Sequence, residues 1–351
     1  MSIDTLPKAF LDRAQKKPHR VAMRWKDLGI WRDITWSQYL EKTKRVALGL
    51  YALGVRRGDH VAIIGENKPE WLYCAFGAMC SGAIYVGIYT TSPSKECEYI
   101  VGHSESVVYL CEDEEQFDKA LEFRDKTPSL RKAIVWDMEG LKHFEDPMMM
   151  SFDELLELGR KTDEENPGLF LDLINQTKPE DIAGIIYTSG TTGMPKGAML
   201  SHEGYLWMGK AVCSITDINE NDETISFLPL NHIFEQIFDF LVHNVIGHVV
   251  NFTENTDTVM ADMIDVSPTM FHAVPRIWEK FYSAVMIRLK EATGLQRAAY
   301  GWAIAQGQAV IPITRAPILF IRPSPRLWVT RAINLYDSML LRPVGKERSR
   351  K

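Results

Sequence analysis

The chain has 351 residues, 46% of them hydrophobic and 25% charged, with a formal net charge of -6. That is too long for one small core and ordinary for a globular protein, so two or three subdomains are expected. The negative balance argues against general nucleic-acid binding. Five cysteines, at 74, 80, 97, 111 and 213, form no CxxC pair, giving neither a disulfide framework nor a zinc site, and point to a reducing, cytosolic setting.

In chain order, the first 20 residues lack the apolar core of a signal peptide. Trp36, Leu40, Thr43, Ala47, Leu50 and Tyr51 recur at helical spacing, and the helix closes at Gly54. "HVAIIG" from His60 predicts a buried strand. "PEWLYCAFGAMCSG" carries proline at a helix start and glycine at its end. "AIYVGIY", "SVVYLC" and "KAIVWD" are expected as strands, with "SKECEYIVGHS" and "EEQFDKALEFRD" as helices between them. Such a β-α-β-α series with short connections implies a parallel sheet with helices on both faces.

Residues 138–181 are acidic and punctuated by Pro147 and Pro167, and are expected to hold one helix (Ser151 to Arg160) among surface loops. A second alternating series begins at "DIAGIIY" and continues through "ETISFLP", "HIFEQIFDFLVH", "GHVVNF", "TVMADMIDVS" and "TMFHAVP". A long helix, "RIWEKFYSAVMIRLKEAT", follows. The expected division is a first α/β subdomain over 36–137, connecting loops over 138–181, a second subdomain over 182–310, and a tail over 311–351. From Ile311 onward there are nine Arg or Lys against two Asp or Glu. This basic, apolar tail fits either peripheral contact with an anionic membrane or packing on a core, the commoner fate of apolar runs. No window is apolar for long enough to predict a transmembrane helix.

The densest chemical signal is "YTSGTTGMPKG", Tyr187 to Gly197. It starts at the carboxyl end of a predicted strand, where open α/β sheets bind ligands, and Ser201 follows as a helix cap. Glycines let backbone N–H groups approach phosphate oxygens, hydroxyls add donors, and Lys196 adds a cation. It is not a Walker loop, because Pro195 precedes Lys196 where that motif needs glycine.

The extended string "YTSGTTGMPKGAMLSH" resembles the phosphate-binding signature of the adenylate-forming, or AMP-binding, superfamily. "GVRRGDHVAIIGENKPEWLYCAFGAMCSGAIYVGIY" resembles its amino-terminal α/β subdomain, and "FLPLNHIFEQ" its second conserved segment. "AVPRIWEKF" resembles the long-chain fatty acyl-CoA synthetase branch in particular. The resemblance covers nearly the whole chain, as residues 1–350 of an AMP-binding domain. It implies an α/β fold of tandem parallel-sheet subdomains with helices on both faces, and a two-step reaction. A carboxylate attacks the ATP α-phosphorus, then the coenzyme A thiol attacks the acyl carbonyl and releases AMP.

By position, the resemblance assigns Thr188, Ser189, Gly190, Thr191, Thr192, Gly193 and Lys196 to the β and γ phosphates of ATP, and His232 to the reacting carboxylate. A hydrogen-bonded packing role for His232 stays open, and Glu235 is as well explained by support of a helix start. Arg276 and Trp278 fit a helix start better than a site. Asn231 stands where this branch often has a smaller residue. No protein ligand to Mg²⁺ is assigned within the chain. The family's Tyr-Gly-x-Thr-Glu and Thr-Gly-Asp segments do not occur: Tyr300-Gly301 is followed by Trp-Ala-Ile and Thr293-Gly294 by Leu295. An incomplete fold is therefore expected, that of an incomplete gene product or of one piece of a split enzyme with a separately encoded carboxyl-terminal half, and little acyl-CoA formation by this chain alone. Three readings remain: part of a fatty acid–CoA ligase, an activator of another carboxylic acid, or a non-catalytic nucleotide- or partner-binding fragment.

Overall fold

The computed structural model describes residues 2–188, 193–255 and 257–314. Helix α1 (Leu6–Lys16) starts at Thr5, whose hydroxyl accepts from Lys8 N, with Pro7 in its first turn. Strands β1 (Val21–Asp27) and β2 (Ile30–Thr35) form a hairpin. Its turn residues Leu28 and Gly29 both have positive φ, as a tight hairpin turn requires. Helix α2 (Trp36–Ala52) opens with a capping box between Thr35 and Gln38. Then come β3 (His60–Ile64), α3 (Pro69–Cys80), β4 (Ile84–Ile88), α4 (Ser94–His103), β5 (Val108–Cys111), α5 (Glu114–Phe123) and β6 (Lys132–Val135). The acidic stretch holds β7 (Met149–Ser151), α6 (Phe152–Glu165) and α7 (Leu169–Gln176). It is thus more ordered than one helix among loops.

Next are β8 (Ile182–Thr188), β9 (Lys196–Ser201), α8 (His202–Ile215) and β10 (Glu223–Ser226). Helix α9 (Ile233–Gln236) runs through a π-helical stretch, Ile237–Val242, into α10 (His243–Ile246). Strand β11 (Val249–Phe252) and α11 (Val259–Val266) complete the first compact unit, which closes at Val266.

That unit holds two sheets. The larger has the order β7-β6-β5-β3-β4-β8-β9 and is parallel except for the β8–β9 pair. The smaller has the order β10-β11-β1-β2 and is parallel except for β1–β2. Strand β8, expected to open a second subdomain at 182, instead pairs with β4 in the first sheet. Strand β11 pairs with β1 of the N-terminal hairpin, which the sequence reading passed over, and carries β10 on its other side. Hydrophobic pattern reveals that a strand exists, whereas long-range pairing chooses its sheet.

Side chains alternate across the large sheet. Val61 and Ile63 of β3 join a core with Phe10, Trp36, Tyr39 and Phe76, whereas Ala62 and Ile64 join one with Phe117 and Phe123. Helix α3 is apolar all round and every residue but Glu70 is buried, as a central helix must be. All five cysteines are free thiols.

The second unit runs from Ser267. Its described elements are α12 (Pro275–Glu291) and α13 (Gly294–Thr314). "TMFHAVP" forms no strand; it leads into α12, where Trp278 Nε1 donates to Ala273 O (3.2 Å) and the ring packs edge-on against Phe271. Trp278 and Arg276 thus sit at a helix start. The basic tail from 315 lies outside the described residues. No described helix is long and apolar enough to cross a membrane.

Candidate active site

Strands β4 and β8 lie side by side, with Gly87 opposite Ile186. The phosphate-loop candidate leaves the carboxyl end of β8 at Thr188 and returns along β9, so that Thr188 and Lys196 are register partners. Both are exposed. Gly193, with φ at +112°, occupies a conformation that disfavours a side chain. Ser189, Gly190, Thr191 and Thr192 lie outside the described residues.

Helix α4 ties both flanks of the loop. His103 Nδ1 shares a hydrogen bond with the Tyr187 hydroxyl (2.7 Å), and Tyr99 Oη donates to Pro195 O (3.2 Å). The Tyr99 and His103 rings stack at 5.2 Å. The residues adjoining Thr188 and Lys196 are therefore fixed to one rigid element.

A second segment, Ser226 to Gln236, converges on the same place. Asn231 is buried against Gly87, where an added Cβ would lie 2.9 Å from the Asn231 Cβ. The missing side chain at 87 is what makes room for the larger residue at 231. Ile186, opposite Gly87, is two residues before Thr188, so the segment docks beside the loop.

His232 is exposed and caps α9, its Nδ1 accepting from Phe234 N (3.2 Å). That bond leaves Nε2 to carry the proton of a neutral ring, a donor suited to a carboxylate oxygen. As a hydrogen-bonded helix cap His232 also has a local structural role.

Glu235 is fully buried and Oε1 accepts from Phe227 N (3.0 Å). Burial pushes its carboxyl up to about 8, against hydrogen bonds from the Phe227 and Leu228 backbone and the Ser226 hydroxyl. Gln236, also fully buried, accepts from the Tyr85 and Tyr205 hydroxyls (both 2.8 Å) and donates to Leu230 O (2.8 Å). Gly184, opposite Tyr85 on β8, leaves space for the tyrosine ring, 2.3 Å from where a Cβ would sit.

Asn67, Tyr99 and Gln236 are absent from the sequence-based site. Asn67 carried a usable signal, since it follows a strand's carboxyl end and precedes the proline that starts α3. Tyr99 and Gln236 carried none, because their partners lie far away in sequence. Among the described residues, no cluster of three or more His, Cys, Asp or Glu could hold a metal ion.

The AMP-binding enzyme family matches residues 10–313. The chain belongs to this family. It is 33% identical over 304 residues to the human Long-chain-fatty-acid--CoA ligase ACSBG2, covering 85% of this chain and 45% of that protein. It is 31% identical over 309 residues to ACSBG1 of Bos taurus, covering 86% and 42%. The chain thus spans less than half the length of these two curated relatives. The fold is also that of solved structures. The A-PCP didomain of a carboxylic acid reductase from Segniliparus rugosus, in complex with AMP, superposes with a TM-score of 0.68 at 20% identity, over 83% of this chain and 45% of that one. A long-chain-fatty-acid-CoA ligase from Archaeoglobus fulgidus gives 0.63 at 22%, over 76% and 50%.

Proposed function

We propose that this chain carries the phosphate loop and carboxylate-side segment of an ATP-dependent long-chain fatty acid–CoA ligase. The observation that carries the proposal is the convergence of two segments at the carboxyl end of β4 and β8: the Thr188–Lys196 hairpin, and Asn231–His232 docked on Gly87. The relatives' names supply the substrate class and the coenzyme A acceptor.

In the first step the fatty carboxylate attacks the ATP α-phosphorus and pyrophosphate leaves. Lys196 and the loop N–H groups hold the β and γ phosphates, where preorganised positive charge counts most as the leaving group gathers charge. Mg²⁺ arrives with ATP as part of the substrate. His232 Nε2–H orients the carboxylate. In the second step the coenzyme A thiol attacks the acyl carbonyl and AMP leaves.

The test is pyrophosphate exchange into ATP by the protein carrying this chain, with palmitate, octanoate, acetate, anthranilate and aspartate offered separately. Each buried methylene contributes up to about 0.8 kcal/mol, so palmitate should exceed acetate by orders of magnitude. Exchange driven best by acetate, anthranilate or aspartate would assign the chain to another carboxylate activator.

A further inference from the structure

Two sheets meet beside His232, and one side chain joins them there. Asn67 lies three residues beyond β3 of the seven-stranded sheet. Its Nδ2 donates to Ser226 Oγ (2.9 Å) and Leu228 O (2.6 Å), and its Oδ1 accepts from Leu230 N (3.1 Å). These partners sit at the end of β10 of the four-stranded sheet and in the bend and turn that follow it. Ser226 ends β10, Leu228 lies in a bend, and Leu230 lies in the turn closed by His232 N donating to Pro229 O (2.9 Å), so the three contacts run along the segment that leads to His232. From the other side, Glu235 holds the intervening Phe227 N. Both the nitrogen and the oxygen of the Asn67 amide are engaged, and the chain leading to His232 is gripped at Ser226, Phe227, Leu228 and Leu230.

We propose that Asn67 is a positioning residue for His232, fixing the segment 226–232 of one sheet to the carboxyl edge of the other. Its role in catalysis rests on the proposed ligase reading; its control of the His232 environment does not. The donors must be an amide. A carboxylate of the same shape would set lone pairs against Leu228 O, and an alanine would leave the Leu228 carbonyl and Leu230 N–H without these partners.

The experiment compares wild type with Asn67→Asp and Asn67→Ala. First, diethylpyrocarbonate modification of His232 is followed by peptide mass mapping, with exposed His143 as internal reference. Second, palmitate-dependent pyrophosphate exchange gives kcat and the ATP KM. The expected result in each folded variant is a change of about threefold or more in the His232 rate relative to His143, the scale of one hydrogen bond. The exchange kcat should fall at least about tenfold, with the ATP KM within about twofold, because the phosphate loop is untouched. If the aspartate variant does not fold, the alanine variant carries the test. An unchanged His232 rate overturns the proposal, as does a changed rate with unchanged kcat, or kcat and KM worsening together. If wild type itself shows no palmitate-driven exchange, the ligase reading fails, and the labelling still decides whether Asn67 positions His232.

Discussion

Glu235→Gln should flatten the dependence of folding stability on pH. The carboxyl is fully buried and held at about 8, chiefly by desolvation, against 4.5 for an unburied glutamate. The sign follows from proton counting. Between pH 4.5 and 8 the unfolded chain has lost this proton and the native protein keeps it, so stability falls as pH rises. The slope is about 1.4 kcal/mol per pH unit, and across the window the group costs roughly 3–5 kcal/mol. Above pH 8 both states are ionised and its slope vanishes. Glutamine imitates the protonated acid in size and can still accept from Phe227 N. Urea unfolding at pH 5 and pH 8, on wild type and variant, isolates the group because other titrations cancel in the difference. The variant should gain roughly 3–5 kcal/mol on wild type between pH 5 and pH 8. A constant difference between the two proteins would refute the assignment of a protonated, buried carboxyl at 235.

Two histidines should act in the opposite sense. Burial holds His202 down at about 4 and His243 at about 3, so both stay neutral in the fold after the unfolded chain is protonated below about 6.5. Stability should therefore drop as pH falls from 6.5 towards 4, by about 1.4 kcal/mol per pH unit for each residue. Replacing either with glutamine should remove its share of that slope in acid unfolding curves, and an unaltered slope would contradict it. Gly159→Ala should destabilise the fold by about 1–3 kcal/mol or more, because its Cβ would fall 1.9 Å from the Arg45 carbonyl oxygen where α2 and α6 cross. A denaturation midpoint equal to wild type would show that the helices can part there without cost.

Much of the alternating architecture was legible in the residues. The runs around His60, Ile84, Val108 and Lys132 became the adjacent parallel strands expected of them, because each is short, apolar and bounded by helix signals. Ser151 and Ser201 cap α6 and α8 as their hydroxyls imply. What the residues left unread was assignment between sheets. Nothing local in "DIAGIIY" says that it pairs with β4, and nothing in "GHVVNF" says that it pairs with β1. At the site, the phosphate-loop string declared itself through composition. The framework behind it did not, since Tyr99, Tyr85 and Gln236 act through partners that only the tertiary fold brings together. Glu235 read as helix support, whereas its carboxyl group reaches back to the segment before His232.

The hairpin that sets Lys196 opposite Thr188 is the core of the functional account, and Lys196→Ala strikes it directly. In the protein carrying this chain, palmitate-dependent pyrophosphate exchange should fall by at least about tenfold, the scale of one charge-assisted phosphate contact, while the melting temperature stays near that of wild type because the side chain is exposed. Full exchange activity in the variant would take the loop out of phosphate binding and contradict the account.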